Sequence, residues 1–381
     1  MQSTFFGTAL GAKLTTARDV HLQLVEGRGT LGARFSRIRR LGIHGGNGHF
    51  SLMFVADDSV TNREAVVKVF NPERRTPVEA YRWGCFERES RVLQRLQGQK
   101  DIVQLISGQD QFIESIPTHI PGLTYDIEFA YYVMEKADSD MADAIQNPTW
   151  SPLDYLEAFH CMVRAVQRIH AQGLVHRDLK PDNFLIANSC VKLSDFGTAR
   201  FLDGTDPPLL TSYDSPPGDI RYTAPEIFAC LHDVTENIAF KADIFGLGAI
   251  LFEMFTGVKL GIQLFGPTLL SDLTAHLSPV PRGQRVTIYN QIVHDIARAH
   301  PLPSMHSINP TIPAAIRVQL NGLYRGLCDI NYLSRNCHFP SIFRGVDTCI
   351  LILKNEAKYQ KWQAERQKRR SIRLARKAHN S

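Results

Sequence analysis

The chain has 381 residues, of which 44% are hydrophobic and 21% are charged, and its formal net charge is +5. This composition is typical of globular proteins and excludes disordered, collagen-like and coiled-coil chains. The positive charge is concentrated in residues 354–381, which hold ten Lys and Arg but two Glu, a balance of +8. The rest of the chain carries −3, so the net charge does not describe the folded body.

Compartment signals in the sequence point to a cytoplasmic protein. The longest apolar run, from Ile244 to Phe252, has nine residues, about half of the roughly 20 that a membrane-spanning helix needs. It predicts a buried core helix. The first residues lack the charged and apolar regions of a secretory signal. The seven cysteines are odd in number and form no CxxC pair, so we expect reduced thiols.

Strand signals dominate residues 34–70, where the glycine-rich segment LGIHGGNGHF is followed by SLMFVA and EAVVKVF. The pattern predicts a strand, a glycine-rich turn and two further strands. A helix is predicted next, with Thr76 as its N-cap, Pro77 in its first position and Glu79 completing a capping box. The first part of the chain is therefore expected to be rich in β-structure.

Helical signals dominate the second part. Ser151 and Pro152 predict the start of a helix that Gly173 ends. Its apolar residues recur at helical spacing and form one stripe: Leu156, Phe159, Met162, Val163, Val166 and Ile169. Residues 256–320 contain seven prolines and short helical fragments, which predict a loop-rich excursion.

One stretch carries most of the chemical signal. Residues 175–200 read VHRDLKPDNFLIANSCVKLSDFGTAR, and residues 224–226 read APE. In order and spacing these motifs resemble the catalytic-loop, DFG and APE motifs of the eukaryotic-type protein kinase family. The resemblance covers residues 34–345, weakly after 256, and LKPDN is similar to the serine/threonine-specific members.

The resemblance implies an α+β, bilobal protein kinase-like fold. We expect a small β-rich N-lobe with one long helix at residues 34–136 and a larger, mostly helical C-lobe at 137–345, which includes the excursion at 256–320. An N-terminal extension at 1–33 and a basic helical tail at 346–381 would flank them.

Phosphoryl transfer requires groups that position the reactants and neutralise charge. Asp178 lies in a polar loop, where it can receive the proton of the attacking hydroxyl. Lys180 can reach the γ-phosphate of ATP as a point cation. Asn183 and Asp195 supply hard oxygen atoms for Mg²⁺, with Mn²⁺ as an alternative metal. The resemblance implies the same four roles.

A lysine in the third strand suggests a phosphate site. Alternation places Lys68 on the same face as Val66 and Phe70, where an unpaired ammonium group would be costly. Helical spacing then separates two carboxylates: Glu87 falls on a polar face, whereas Glu89 shares its face with Phe86, Leu93 and Leu96. The resemblance pairs Lys68 with Glu89; the alternative is a solvent-exposed Glu89.

The resemblance also implies two further ATP contacts. The glycine-rich loop would follow Leu41 and cover the phosphates, although it fits the family pattern only with one extra residue between its first two glycines. Its residues are Gly42, Gly45, Gly48 and Phe50. The segment YYVMEKAD would join the lobes, with Met134 beside the adenine and backbone groups of Glu135 and Ala137 bonded to the base. Simple core packing also explains Met134.

The sequence departs from the family where G-T-x-x-Y-x-A-P-E is expected, because it reads GDIRYTAPE. Asp219 stands in place of the threonine, so its carboxylate would either pair with Lys180 or repel Asp178.

Arg177 precedes Asp178. In the family, an arginine at this position accompanies control by phosphorylation of the loop between the DFG and APE motifs. The hypothesised sites are Thr211, Ser212 and Ser215; solvated hydroxyl groups are an equal alternative.

Two structural interactions follow from the same resemblance. The segment KADIFGLGAILFEMFTG is similar to the buried central helix of the family, in which Asp243 would hold the backbone of the catalytic loop. Glu226 would pair with an arginine, for which Arg335 is preferred over Arg325 or Arg344.

The sequence therefore predicts an ATP-dependent kinase that phosphorylates Ser or Thr hydroxyls of protein substrates, with autophosphorylation of the 196–223 loop as an extension. One alternative is a pseudokinase that binds nucleotide without turnover, and another is a small-molecule phosphotransferase.

The basic tail has three interpretations. It is a solvated terminal helix, a site for an anionic partner such as RNA, the ribosome or a membrane surface, or an autoinhibitory segment on the kinase body.

Overall fold

The structure is a computed structural model that describes seven stretches of chain: residues 17–42, 51–72, 77–117, 120–202, 218–228, 236–264 and 267–379. The chain forms two compact units. Among the described residues, the first unit comprises 17–138 and Ser194–Ala199, and the second comprises Ser139–Leu193 and the residues from Arg200 onward. The lobe boundary predicted at 136/137 lies within two residues of this division.

The first unit is built on a six-stranded antiparallel sheet with strand order β1-β2-β3-β4-β6-β5. Its strands are β1 (Thr30–Leu31), β2 (Phe35–Arg40), β3 (Ser51–Asp58), β4 (Arg63–Phe70), β5 (Leu105–Pro117) and β6 (Thr124–Glu135). Two helices accompany the sheet, α1 (Ala17–Arg28) and α2 (Pro77–Arg95). The strands expected between 34 and 70 are confirmed. Lys68 lies in the interior strand β4, opposite Met53 of β3 and Tyr132 of β6.

The segment expected to be an N-terminal extension joins this sheet. Leu22 and Val25 of α1 are buried in the core that the sheet residues form, and the imidazole of His21 is hydrogen-bonded to Asn71 Oδ1 at 2.8 Å. Leu31 of β1 pairs with Phe35 of β2. The described part of residues 1–33 is therefore an integral layer of the first unit.

The second unit is mainly helical. Its helices are α3 (Met141–Gln146), α4 (Pro152–His170), α5 (Pro225–Phe228), α6 (Glu236–Thr256), α7 (Leu260–Leu264), α8 (Pro267–Leu277), α9 (Arg285–Ala299), α10 (Met305–Ile308), α11 (Arg317–Leu327) and α12 (Phe339–His379). Short strands form two small antiparallel sheets, β10-β9-β7 and β11-β8. They are β7 (Ser139–Asp140), β8 (Leu174–Val175), β9 (Phe184–Ala187), β10 (Cys190–Leu193) and β11 (Arg200–Phe201).

The predicted start of α4 is confirmed, because Ser151 caps it and exchanges hydrogen bonds with Asp154 in a capping box. All six residues of the predicted apolar stripe are buried. Burial of this stripe fixes α4 against its neighbours and so places the loop that follows it.

The centre of the second unit is α6, whose apolar run from Ile244 to Phe252 is buried as predicted. At Gly248 a Cβ atom would lie 2.7 Å from the Cβ atom of Leu327, the last residue of α11, so the end of α11 packs directly on the backbone of α6. None of the helices within the described ranges is long and apolar enough to cross a membrane.

Two parts of the second unit differ from expectation. The segment 256–320 is more helical than its prolines suggest, since α8 has 11 residues and α9 has 15. Pro267 occupies the first position of α8, where the missing N–H group costs nothing. The tail expected from 346 is the continuation of α12, a helix of 41 residues that begins at Phe339.

Candidate active site

The first group of predicted site residues lies in the first unit. Lys68 Nζ donates to Glu89 Oε2 at 2.6 Å and lies 3.4 Å from Asp195 Oδ1. The expected Lys68–Glu89 ion pair is therefore present, and Asp195 joins it. One ammonium group thus meets two carboxylates, and because the side chains of Lys68 and Glu89 are buried, water screens the attraction between these two only weakly.

Burial alone would lower the pKa of Lys68, but attraction to Glu89 and Asp195 outweighs it and raises that pKa above its ordinary value. Lys68 thus remains a cation throughout the physiological pH range. A permanent ammonium group at this position can bind a polyphosphate.

Helical periodicity accounts for the orientation of Glu89. The Glu89 side chain is buried in α2 together with Phe86 and Leu93, whereas Glu87 is exposed. The alternative of a solvent-exposed Glu89 is therefore wrong, because a helical residue three places after one buried apolar residue and four places before another lies on their face.

Asp195 begins the DFG segment with a left-handed backbone, φ 59°. This conformation is strained for a residue with a side chain and is common at functional sites. The segment is also held from α2, because Arg88 Nη1 donates to the carbonyl oxygen of Gly197 at 2.6 Å. Sequence reasoning missed Arg88; its position next to Glu89 on the same helix is the only local signal.

Of the glycine-rich loop, only the beginning is described. The Leu41 N–H group donates to the carbonyl of Met53 at 3.0 Å, and Gly42 has φ +69°, which favours glycine. Gly45, Gly48 and Phe50 lie outside the described residues, so their contacts with ATP stay a prediction.

The segment predicted to bind adenine forms the end of β6. Met134 is buried in the sheet, as its core-packing interpretation requires. The backbone N–H of Glu135 donates to the carbonyl of Gln104 at 2.9 Å, and Glu135 Oε1 accepts from the Gln104 N–H at 2.8 Å. Glu135 can therefore offer adenine no N–H donor, and its predicted hydrogen bond would have to use the carbonyl. Ala137 follows two residues later at the end of this segment.

The second group of site residues lies in the second unit, in the catalytic loop between β8 and β9. Asp243 of α6 holds this loop, since its carboxylate accepts the N–H groups of His176 at 2.8 Å and Arg177 at 2.9 Å. Burial would raise the pKa of Asp243, but hydrogen bonding and attraction from His170, with a smaller contribution from His176, keep it below its ordinary value. The expectation that Asp243 anchors the loop backbone is confirmed.

Both oxygen atoms of the Asp178 carboxylate are held. Oδ2 accepts from Lys180 Nζ at 2.9 Å, and Oδ1 accepts from the backbone N–H of Asp219 at 2.9 Å. Asn183 Nδ2 donates to the Asp178 carbonyl at 2.8 Å. Asp178, Lys180 and Asn183 therefore form one hydrogen-bonded cluster within six residues of chain.

Asp219 behaves differently from either predicted alternative. Its carboxylate is bound by Arg221, whose Nε lies 2.8 Å from Oδ1 and 2.9 Å from Oδ2. The Arg221 guanidinium stabilises the ionised carboxylate more than burial opposes it, and the pKa of Asp219 is lowered, with a smaller contribution from the charge of Lys180. Sequence reasoning missed Arg221 as the main partner, although it lies two residues away.

The expected partner of Glu226 is Arg335. Arg335 Nη1 and Nη2 donate to the two carboxylate oxygens at 2.5 and 3.1 Å, and both side chains are 0% exposed. Arg335 also donates to the carbonyls of Lys241 and Asp329. Arg325, the first alternative, is exposed and directed at Leu302.

Comparison with known proteins assigns the family. The protein kinase domain matches residues 41–263, more than half of the chain. The chain belongs to the eukaryotic-type serine/threonine protein kinase family.

Its relatives carry kinase names. Mitogen-activated protein kinase HOG1 of Candida glabrata is 32% identical over 219 residues, which cover 56% of this chain and 42% of that protein. The serine/threonine-protein kinase drp72 of Corynebacterium efficiens is 29% identical over 238 residues, covering 62% and 41%. The hog1 kinase of Trichoderma harzianum is 31% identical over 232 residues, covering 60% and 55%. The chain thus spans about half the length of these relatives.

The donor set fits the metal that kinases of this family use. Asn183 Nδ2 acts as a donor, so the amide oxygen is the atom that would coordinate, and Asp195 adds a carboxylate that is 46% exposed. In the described part of the chain no group of three His, Cys, Asp or Glu side chains could hold an ion alone. Mg²⁺ is usually bound by one or two protein ligands together with phosphates and water, and each of these two side chains offers an oxygen atom of the kind it prefers.

The regulatory residues are only partly placed. Arg177 precedes Asp178 with a left-handed backbone, φ 71°. Thr211, Ser212 and Ser215 lie outside the described residues, so their phosphorylation stays a prediction.

Proposed function

We propose that this kinase-family protein transfers the γ-phosphoryl group of ATP to Ser and Thr hydroxyl groups of protein substrates. The observation that carries the proposal is the environment of Asp178. A backbone amide and a lysine hold its carboxylate, and Asp243 holds the backbone of its loop. Such fixed orientation is what a general base requires.

Each remaining residue has a role that its chemistry supports. Lys68, kept cationic by Glu89, would bind the α- and β-phosphates, and Lys180 would neutralise charge on the transferred group. Asn183 and Asp195 would hold Mg²⁺, which when bound neutralises phosphate charge; Mn²⁺ has the same ligand preference. Leu41, the glycine-rich loop and the Met134–Ala137 segment would enclose the nucleotide.

A transfer assay tests the proposal. The purified chain, incubated with Mg²⁺ and γ-labelled ATP, is expected to label a generic basic protein on serine and threonine. Asp195→Asn should abolish labelling because a carboxylate ligand of the metal is lost. Nucleotide binding by the wild type without labelling would instead establish the pseudokinase alternative.

Two further properties accompany this function. Autophosphorylation of the 196–223 loop would add about −2 charge, with which Arg177, the residue before Asp178, would pair. A cytoplasmic location is proposed from the seven cysteines of the sequence, which are odd in number and form no CxxC pair, a pattern typical of reduced thiols.

For the basic segment of α12, defined as residues 354–369, we propose binding of single-stranded RNA. The segment is exposed almost throughout. Lys354, Lys358, Lys361 and Arg369 follow one another at intervals of four, three and eight residues and share one side of the helix. A row of cations on an exposed helix is complementary to a phosphate backbone.

Two aromatic rings favour RNA over a membrane surface. Tyr359 and Trp362 are 58% and 52% exposed, and their rings are stacked at 6.0 Å. Arg366 lies over the Trp362 ring at 5.3 Å. Exposed rings beside cations are the elements on which unpaired bases stack, worth about 1–3 kcal/mol per base. Binding to a lipid surface would require a wide apolar face, which the sequence of this segment lacks.

Salt dependence is the expected signature. Affinity for a labelled uridine 20-mer should fall as salt rises, with log K decreasing by about 0.7 per phosphate neutralised. The double variant Tyr359→Ala/Trp362→Ala should weaken binding at every salt concentration without changing that slope. Gln360→Ala, on the opposite side, serves as the matched control. Binding to anionic vesicles but not to the oligonucleotide would contradict the proposal.

A further inference from the structure

The turn at residues 218–223 is organised around Asp219. Its carboxylate accepts the backbone N–H of Arg221 at 2.9 Å and the Arg221 Nε at 2.8 Å, with Arg221 Nη2 in contact with the other oxygen. Its carbonyl accepts the N–H groups of Tyr222 and Thr223 and the Thr223 hydroxyl. One residue therefore closes the turn through both its side chain and its backbone.

This turn lies directly against the catalytic loop. Gly218 has φ +92°, and a Cβ atom there would lie 2.5 Å from the carbonyl oxygen of Arg177. The close approach lets the next N–H group, that of Asp219, donate to Asp178 Oδ1 at 2.9 Å. The orientation of Asp178 thus depends on the position of a backbone amide in the turn.

The carboxylate of Asp219 would disturb this arrangement if it were unpaired. Its side chain is 14% exposed, and it belongs to the residue that touches Asp178, whose other oxygen binds Lys180 at 2.9 Å. A free negative charge here would compete for Lys180 and repel Asp178. The pairing with Arg221 neutralises that charge.

Arg221 is itself fixed in place. Its carbonyl accepts the Gly261 N–H at 3.0 Å, and a Cβ atom at Gly261 would lie 2.6 Å from the Arg221 Cα. The backbone of Arg221 is therefore seated on the start of α7. Its side chain needs only a local rotation to bind a carboxylate two residues away.

We propose that Arg221 is a positioning residue for phosphoryl transfer. By neutralising Asp219, it leaves Lys180 on Asp178 and lets the Asp219 backbone amide orient Asp178. The pair would replace the bridging hydroxyl of the threonine that the family pattern places at 219. This inference rests on the proposed kinase function.

A double-mutant cycle separates charge neutralisation from a structural role. We expect Arg221→Gln to lower kcat about tenfold with a nearly unchanged KM for ATP, as for coupled neighbours in one network. Asp219→Asn keeps an oxygen that can accept the Arg221 N–H and is expected to lower kcat a few-fold, about two to four. In that background, Arg221→Gln should change kcat by less than about threefold, because no carboxylate remains to neutralise.

If Arg221 had only a structural role, Arg221→Gln would lower kcat by the same factor whether or not Asp219 carries a charge. An equal effect of Arg221→Gln in both backgrounds, or a raised KM for ATP in place of a lowered kcat, would overturn the inference. Arg221→Lys keeps a cation and should retain most of the activity. A loss of kcat as large as that of Arg221→Gln would contradict the inference.

If the wild type transfers no phosphate, the proposed function fails. The pairing is then tested by the unfolding midpoints of the four proteins, where zero coupling rejects it.

Discussion

Asp178→Asn is expected to reduce phosphoryl transfer by a factor of about 10² to 10⁴, the range that a positioned general base contributes. The substituted side chain has the same size, and its amide oxygen can still accept the Asp219 N–H that now binds Oδ1. It cannot take up a proton, so the attacking hydroxyl loses its acceptor. The initial rate of label transfer to a basic protein, at saturating ATP, measures the effect.

ATP binding should survive this substitution, because Lys68, Glu89 and Asp195 belong to the other unit of the fold and form their own ion-pair cluster. Asp182→Asn is the matched control, since this exposed carboxylate lies four residues away in the same loop. It should leave the rate within about threefold. Comparable losses in both variants would show that the loop responds to any change of charge and that Asp178 has no special role.

Glu226→Gln is expected to destabilise the protein by about 3–5 kcal/mol, because it breaks a buried ion pair and leaves one charge uncompensated. Arg335 would remain fully buried and lose the charge that both of its terminal nitrogens now face. Arg335 also donates hydrogen bonds to the carbonyls of Lys241 and Asp329. A displaced Arg335 would therefore weaken contacts with α6 and with the segment before α12. The free energy of unfolding in urea measures it.

Two variants make this result specific. Arg325→Met removes an exposed arginine and should change the free energy of unfolding by less than about 0.5 kcal/mol. The double variant Glu226→Gln/Arg335→Met removes both charges and should cost less than the sum of the single changes, since no buried charge is left unpaired. Strict additivity would mean that the pair contributes nothing beyond its separate side chains.

Periodic features of this fold could be predicted from the sequence. Helical spacing alone separated buried Glu89 from exposed Glu87, and the six-residue apolar stripe of α4 is buried as expected. These predictions succeed because the geometry of a helix or strand fixes which side chains share a face. The catalytic cluster of Asp178, Lys180 and Asn183 is likewise local in sequence.

Contacts that do not follow helical or strand periodicity could not be predicted from the spacing of residues. The Glu226–Arg335 pair joins residues 109 positions apart, and only the family resemblance suggested it. The Asp219–Arg221 pairing was missed although it is local, because side-chain direction in a turn follows from its individual dihedral angles. Prolines in 256–320 predict loops, whereas Pro267 starts a helix, because proline suits the first position of a helix as well as a loop.

The continuity of α12 has a consequence for the chemistry of the whole chain. At about 1.5 Å per residue, its 41 residues form a rod about 60 Å long with no hinge-forming proline or glycine after residue 345. A strand of RNA bound to residues 354–369 would be tethered within a few nanometres of the kinase unit. Proteins carried on that strand would then meet the kinase at an effective concentration far above their bulk value, as for any linked pair of binding modules. Substrate choice could then depend on co-localisation as much as on recognition of the phosphorylated residue.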